Sequence, residues 1–178
     1  MEVKPTLALP EGLELIGLER SDGVLMVTVV STQMSPCCPL CGVTASRVHS
    51  HSRRQVADLP CGGQPVRLLL QVRKYFCDEP GCVRKIFVER LTPFAEPWAR
   101  VTQRLFQVVQ VIGLATGGRL GVCVTDRLGI QTSRQTILRR IMALPTASGG
   151  QVVELGIDDF SFKRGRSFGT ILVNLQTR

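Results

Sequence analysis

The sequence predicts an α+β chain built as small units in series, and three observations carry that prediction. Two cysteine pairs bracket strand-like runs in the first half, the hydrophobic period turns helical after Pro97, and strand-like runs return beyond a Gly- and Ser-rich stretch at 146–150. The expected order is an N-terminal β-hairpin (1–35), a metal-binding β unit resembling a zinc ribbon (36–92), a unit of three helices (97–145) and a β-hairpin (151–178). With 178 residues, 44% of them hydrophobic and 20% charged, the chain can bury apolar cores. No fixed-period repeat or low-complexity tract interrupts it.

Leu13–Leu18 and Val24–Val30 read as two short strands joined by Ser21-Asp22-Gly23, a scaffold hairpin. Between residues 35 and 90 the strand-like runs are 53–59, 66–76 and 85–88, with Gly62-Gly63 turning the first into the second. From Pro97, placed in a first helical turn, Val101, Leu105, Val108, Val109 and Ile112 recur on one face up to Gly117-Gly118. A second helix is expected from Arg119 to Leu128, ended by Gly129. A third starts at Thr132, where Thr132-Ser133-Arg134-Gln135 has the form of a capping box. It buries Ile137, Leu138, Ile141 and Leu144 before Pro145. Strands at 152–157 and 170–175 flank the basic turn Lys163-Arg164-Gly165-Arg166.

The net charge of +8 is unevenly placed. Lys and Arg number 10 against 5 acidic residues over 36–100, and 6 against 1 over 101–145, whereas acids prevail 5 to 2 over 1–35. A basic centre suits a polyanion such as DNA, and equally a solvated surface. The N-terminus lacks a basic segment followed by an apolar block, and Gln107 and Gln110 interrupt the most apolar stretch, so no membrane partner and a cytoplasmic location are expected. Seven cysteines in that setting point to thiols or metal ligands, not to a disulfide framework.

Cys38-Pro39-Leu40-Cys41 and Cys77-Asp78-Glu79-Pro80-Gly81-Cys82 each sit in a Pro- and Gly-rich turn. Four thiolates so placed can surround a structural Zn2+ and leave no open coordination position. Cys37 competes with Cys38, and His49 or His51 can stand in for a thiolate; paired free cysteines are the bland alternative. Cys61 and Cys123 read as small core residues. The helices on either side of Gly129 have the form of a helix-turn-helix. Ser133, Arg134 and Gln135 then open the recognition helix, and Arg139 and Arg140 lie further along its exposed side. Arg pairs with guanine and Gln with adenine, and other cations grip phosphate. A plain helical bundle gives the same pattern. Asp158-Asp159 ends an apolar strand, either as a Mg2+-binding position or as an ordinary polar strand end.

Taken in order, these segments resemble the ISL-three family of insertion-sequence transposases from Cys38 to Arg178. The zinc-finger likeness lies in Cys38-Pro39-Leu40-Cys41-Gly42, Asp58-Leu59-Pro60, Val72–Cys77 and Cys82–Arg90. The helical likeness lies in Gly113–Gly118, Leu128-Gly129 and Ser133–Arg139, and the final one in Gly156–Phe160 with Gly165–Val173. Asn174 departs from the family's usual Asp, and Cys61 from its larger residue.

The resemblance implies a chain that binds double-stranded DNA at transposon terminal repeats, and dimerisation. It implies the opening hairpin of a ribonuclease-H-like catalytic domain, with Asp158 as the first carboxylate of an Asp-Asp-Glu triad and Arg164–Arg166 near the DNA backbone. No Asp or Glu follows Asp159. Mg2+ is therefore expected only where a catalytic domain is completed, and the chain as it stands is expected to bind DNA without cutting it. The alternatives are one piece of an active transposase completed by a separately encoded or frameshifted segment, and a zinc-ribbon protein-interaction module or decayed remnant. Phe160, Phe162, Phe168, Ile171 and Val173 are expected to lack most of a core, because a ribonuclease-H-like sheet does not close from two strands.

Overall fold

Alternating apolar residues build the first sheet. In the computed structural model, which describes residues 9–145, 152–163 and 167–176, β1 (Leu13–Ser21) and β2 (Val24–Ser31) form the expected hairpin. Then β3 (Val48–Cys61) and β4 (Gln64–Phe76) form a second, longer one through the Gly62-Gly63 turn. β2 also runs parallel to β4, with Val27 beside Leu68 and Val29 beside Leu70, so the sheet order is β1-β2-β4-β3. β5 (Ile86–Val88) pairs with Lys74–Phe76 of β4, whose other edge β3 occupies. β5 thus continues along the edge that β2 uses further back.

Val27, Val29, Val56, Val66, Leu68, Leu70 and Val72 share one core, closed by Leu91. Below it, a buried polar clasp ties loop to sheet. The Glu89 carboxylate, 4% exposed, accepts from Ser31 Oγ at 2.7 Å and from the Arg73 N–H at 2.6 Å, while the Arg73 guanidinium donates to the Ser31 carbonyl at 2.7 Å. Every polar atom named there is satisfied, which is what makes a buried carboxylate tolerable.

The helical segment corrects the expected three-helix unit. Two helices are present: α1 (Gln103–Arg127) and α2 (Arg134–Met142). The first two expected helices run as one element interrupted at Gly117, whose φ of 71° and ψ of −172° are non-helical, after which the helix resumes. Gly117-Gly118 therefore kinks a helix where the sequence reading has it end one. α1 begins at its N-cap Thr102, later than expected, and Pro97 belongs to a preceding turn. The α2 cap is Ser133, whose Oγ accepts from the Thr136 N–H at 3.2 Å. Thr132, the expected start of a capping box, instead buries an Oγ that makes no protein hydrogen bond.

Gly129, at φ 77°, ends α1 in the left-handed conformation. A Cβ there would lie 2.9 Å from the Gly63 carbonyl oxygen, so the turn between the helices rests on the tip of the β3–β4 hairpin. α2 lies close against α1: a Cβ on Gly113 would meet Ile137 Cγ2 at 2.6 Å. Leu105, Val109, Ile130 and Ile137 form the core of this pairing, and Ala57 and Leu59 of β3 pack against it. By length and composition α1 is apolar enough to cross a membrane. Leu105 and Val109 are buried in this packing, whereas Val111, Leu114, Leu120 and Val124 are exposed.

The chain divides into two compact units, Met1–Ala143 and Leu144–Arg178. In the second, β6 (Leu155–Lys163) and β7 (Ser167–Asn174) form an antiparallel hairpin. Phe168, Ile171 and Val173 are exposed, as expected. Arg164–Arg166, expected near a DNA backbone, and the Gly- and Ser-rich stretch 146–150 lie outside the described residues.

Candidate metal centre and nucleic-acid interface

Two tight turns bring four sulfurs together. In the first, the Gly42 N–H donates to the Cys38 carbonyl at 2.9 Å and the Cys38 N–H to the Val43 carbonyl at 2.8 Å, curling Cys38–Cys41 into a knuckle. In the second, the Cys77 N–H donates to the Lys85 carbonyl at 2.9 Å and the Cys82 N–H to the Glu79 carbonyl at 3.1 Å. β4 and β5 present the second knuckle to the first. The Sγ atoms of Cys38, Cys41, Cys77 and Cys82 all lie within 4.8 Å of one another, with Cys38 to Cys82 at 4.0 Å and Cys41 to Cys77 at 3.6 Å.

A tetrahedron of sulfurs with Zn–S bonds of about 2.3 Å has edges of about 3.8 Å, so the spacing fits zinc and far exceeds a disulfide bond. Cys38, Cys77 and Cys82 are buried with Ala45, Tyr75 and Phe87, a small core that the metal would complete. Cys37 is exposed and its sulfur faces Thr44 Oγ1 at 3.9 Å. His49 stacks edge-on against Phe76 with ring centres 4.8 Å apart, and neither His49 nor His51 joins the cluster. Cys61 and Cys123 are exposed, which corrects their reading as core residues: one sits in the β3–β4 turn and the other on the outer side of α1.

The sulfurs differ in acidity. The Cys41 N–H, working against burial and aided by the Leu40 N–H, lowers the Cys38 thiol to about 6. At Cys77 the Glu79 N–H favours the thiolate, but burial and the other three sulfurs outweigh it and push the thiol up to about 12. Cys41 is also raised: the Val43 N–H favours its thiolate, and burial with the sulfurs of Cys38 and Cys82 prevails. At pH 7 the metal-free site thus holds Cys38 as thiolate and Cys41 and Cys77 as thiols.

Zinc must displace at least those two protons, so its affinity should fall by at least about 100-fold per pH unit of acidification near neutrality. Below pH 6, where Cys38 also takes a proton, the fall should steepen by a further factor of about 10 per unit. Competition with a chelator of known titration at pH 6, 7 and 8 measures this, and an affinity flat across that range would contradict it.

The buried Asp58 joins sheet to helix. It accepts from Thr102 Oγ1 at 2.7 Å and from Arg104 Nε at 2.7 Å, and the second carboxylate oxygen pairs with the other side of the Arg104 guanidinium. The Thr102 N–H donates to the Ala57 carbonyl at 2.9 Å, and Thr102 Oγ1 caps α1 by accepting from the Leu105 N–H. One carboxylate therefore fixes the start of α1 on β3, and with it the position of α2.

On α2, Ser133, Arg134, Gln135 and Arg139 are exposed. Gln135, Arg139 and Met142 follow one another along the solvent side, at helical spacing. Arg140 does not share that side. It is half-buried, with its guanidinium 4.8 Å from the centre of the Phe106 ring, and burial lowers its pKa. Asp158 and Asp159 are exposed on β6, where neighbouring residues face opposite sides, so they do not converge on one cation. Thr170 Oγ1 donates to Asp159 at 2.8 Å.

Residues 35–82 match the family model described as the zinc-finger of transposase IS204/IS1001/IS1096/IS1165. Over 165 residues, 92% of this chain, the sequence is 27% identical to the transposase for insertion sequence element IS1001 of Bordetella parapertussis. The chain spans 39% of that relative's length. No solved structure matches. The zinc-finger match over residues 35–82 and the 27% identity along most of the chain make it similar to part of an insertion-sequence transposase of the ISL-three kind.

Proposed function

We propose that this chain is the DNA-binding, N-terminal part of a transposase, in which Cys38, Cys41, Cys77 and Cys82 hold a structural zinc and α2 reads double-stranded DNA at insertion-sequence ends. The observation that carries this reading is the α2 surface. A short helix capped at Ser133, free of acidic residues, exposes Arg134, Gln135 and Arg139 next to a Gly-containing turn. That is the arrangement by which a recognition helix enters the major groove, base-reading side chains near its N-terminus and cations toward phosphate. The zinc ribbon and the Asp58 anchor support it by holding the helix pair on a sheet. Arg140 acts by packing on Phe106, leaving Arg134 and Arg139 as the principal contacts.

The β6–β7 hairpin supports a second element of the proposal. Ile157, Leu172 and Phe168 lie on one of its sides, 66%, 64% and 70% exposed, as the first strands of a larger ribonuclease-H-like sheet would be. In that reading Asp158 is the first carboxylate of a Mg2+-binding triad. Cutting needs further carboxylates, and residues 160–178 contain none.

Replacing both Arg134 and Arg139 by Ala should weaken binding to a duplex bearing the terminal repeat by roughly 100-fold and reduce its salt dependence. Fluorescence anisotropy with the labelled duplex measures both, and an unchanged affinity would reject α2 as the reading helix.

A further inference from the structure

We propose a second nucleic-acid site, on the zinc-ribbon sheet and separate from α2: a basic groove that takes an unpaired DNA strand and stacks one of its bases on Trp98. The groove, of about 680 Å3, runs between β3 and the chain segment 84–100. Six cations line it: Arg53 and Arg54 from β3, Lys74 from β4, and Arg84, Arg90 and Arg100 from the segment above. The acid in its wall, Glu89, is already committed to Ser31 and the Arg73 N–H. Among the described residues the ion pairs are Arg47 with Asp78 and Arg104 with Asp58, so no carboxylate pairs with any of the six. Arg54 is half-buried and donates to the Glu96 carbonyl at 3.2 Å, leaving its charge desolvated without an acid beside it. Six unneutralised cations around one concavity fit a ligand with several phosphates.

Trp98 identifies what else that ligand carries. The turn Glu96-Pro97-Trp98-Ala99 is closed by the Ala99 N–H donating to the Glu96 carbonyl at 3.1 Å, and Trp98 occupies its third position at φ 64°. Gly or Asn ordinarily fills such a position, because a Cβ is strained there. The indole is also 92% exposed. A large aromatic that is both strained and unburied gives the fold nothing, and beside six cations it supplies the flat apolar surface on which a nucleobase stacks. A base can reach that surface only by leaving its own stack, which selects an unpaired strand over an intact duplex. The site rests on the DNA-binding reading above but uses none of the α2 residues.

Trp98 is the chain's single tryptophan, so its fluorescence reports this site alone. The zinc-loaded chain is titrated with oligothymidine, with a duplex of the same length, and with heparin, a polyanion without bases. Oligothymidine should quench the fluorescence strongly, and the duplex and heparin weakly. By anisotropy with labelled oligothymidine, Trp98→Ala should bind on the order of tenfold more weakly and Trp98→Phe close to normally, the loss matching one base–aromatic stack. Heparin affinity should be the same for all three proteins. The Arg134→Ala, Arg139→Ala double variant should retain its oligothymidine affinity, so failure of the α2 reading leaves this result intact. Absence of quenching, equal quenching by heparin or duplex, or a Trp98→Ala variant that binds oligothymidine normally would overturn the proposal.

Discussion

Removing zinc, or replacing Cys77 by Ser, should unfold the two cysteine turns with the small core around them and expose their thiols. Structural zinc in small domains contributes about 10–16 kcal/mol of apparent binding free energy, more than the few buried residues around these sulfurs supply. Cys38, Cys77 and Cys82 are themselves members of that core, with Tyr75 and Phe87 stacked beside them at 6.1 Å between ring centres. Without metal, three buried sulfurs and one exposed sulfur crowd one another. The larger core around Leu68 and Leu70 does not contain the sulfurs, so the sheet from β1 to β3 should outlast the loss. Thiol titration reads the difference directly. In the zinc-loaded protein, Cys37, Cys61 and Cys123, exposed and outside the cluster, should react fast, and chelation should bring in the remaining four. Seven fast thiols before chelation, or an unchanged melting curve after it, would exclude a structural zinc.

Asp58→Ala should destabilise the first unit by on the order of 3 kcal/mol. The carboxylate is fully buried, and its removal takes away the acceptor that the Arg104 guanidinium and the Thr102 hydroxyl share. The Arg104 side chain is 30% exposed and recovers some hydration, which keeps the figure below that of a fully buried pair. Asp58→Asn keeps an acceptor for Thr102 and should lose about half as much. Urea unfolding of the three proteins measures the differences. Because Asp58 also seats α1, the Ala variant should lose duplex affinity beyond what its remaining folded fraction explains.

The parts of the fold that are local in sequence were legible there. Cys38–Cys41 and Cys77–Cys82 are self-contained turns, and the alternation in β1 to β4 fixes which residues face inward. The parallel pairing of β2 with β4 was not legible, since it depends on a 41-residue separation that no local pattern encodes. Gly117-Gly118 read as a helix end because glycine punctuates helices in both ways, and only the packing of Ile137 and Leu138 against α1 decides for a kink. Asp58 sits in a strand whose alternation marks its position as inward, and that burial of a lone carboxylate was the available signal. Arg140 looked exposed by charge alone; Phe106, 34 positions away, draws it in. Trp98 carried no sequence motif, and its strain and exposure are visible only in three dimensions.

The proposed recognition of transposon ends is tested most directly by the affinity of the zinc-loaded protein for a duplex carrying the terminal repeat against one of scrambled sequence, between about 50 and 200 mM salt. A preference for the repeat of about 1,000-fold, with both affinities falling steeply as salt rises, is the predicted result. Equal affinity for the two duplexes, or binding indifferent to salt, would contradict it.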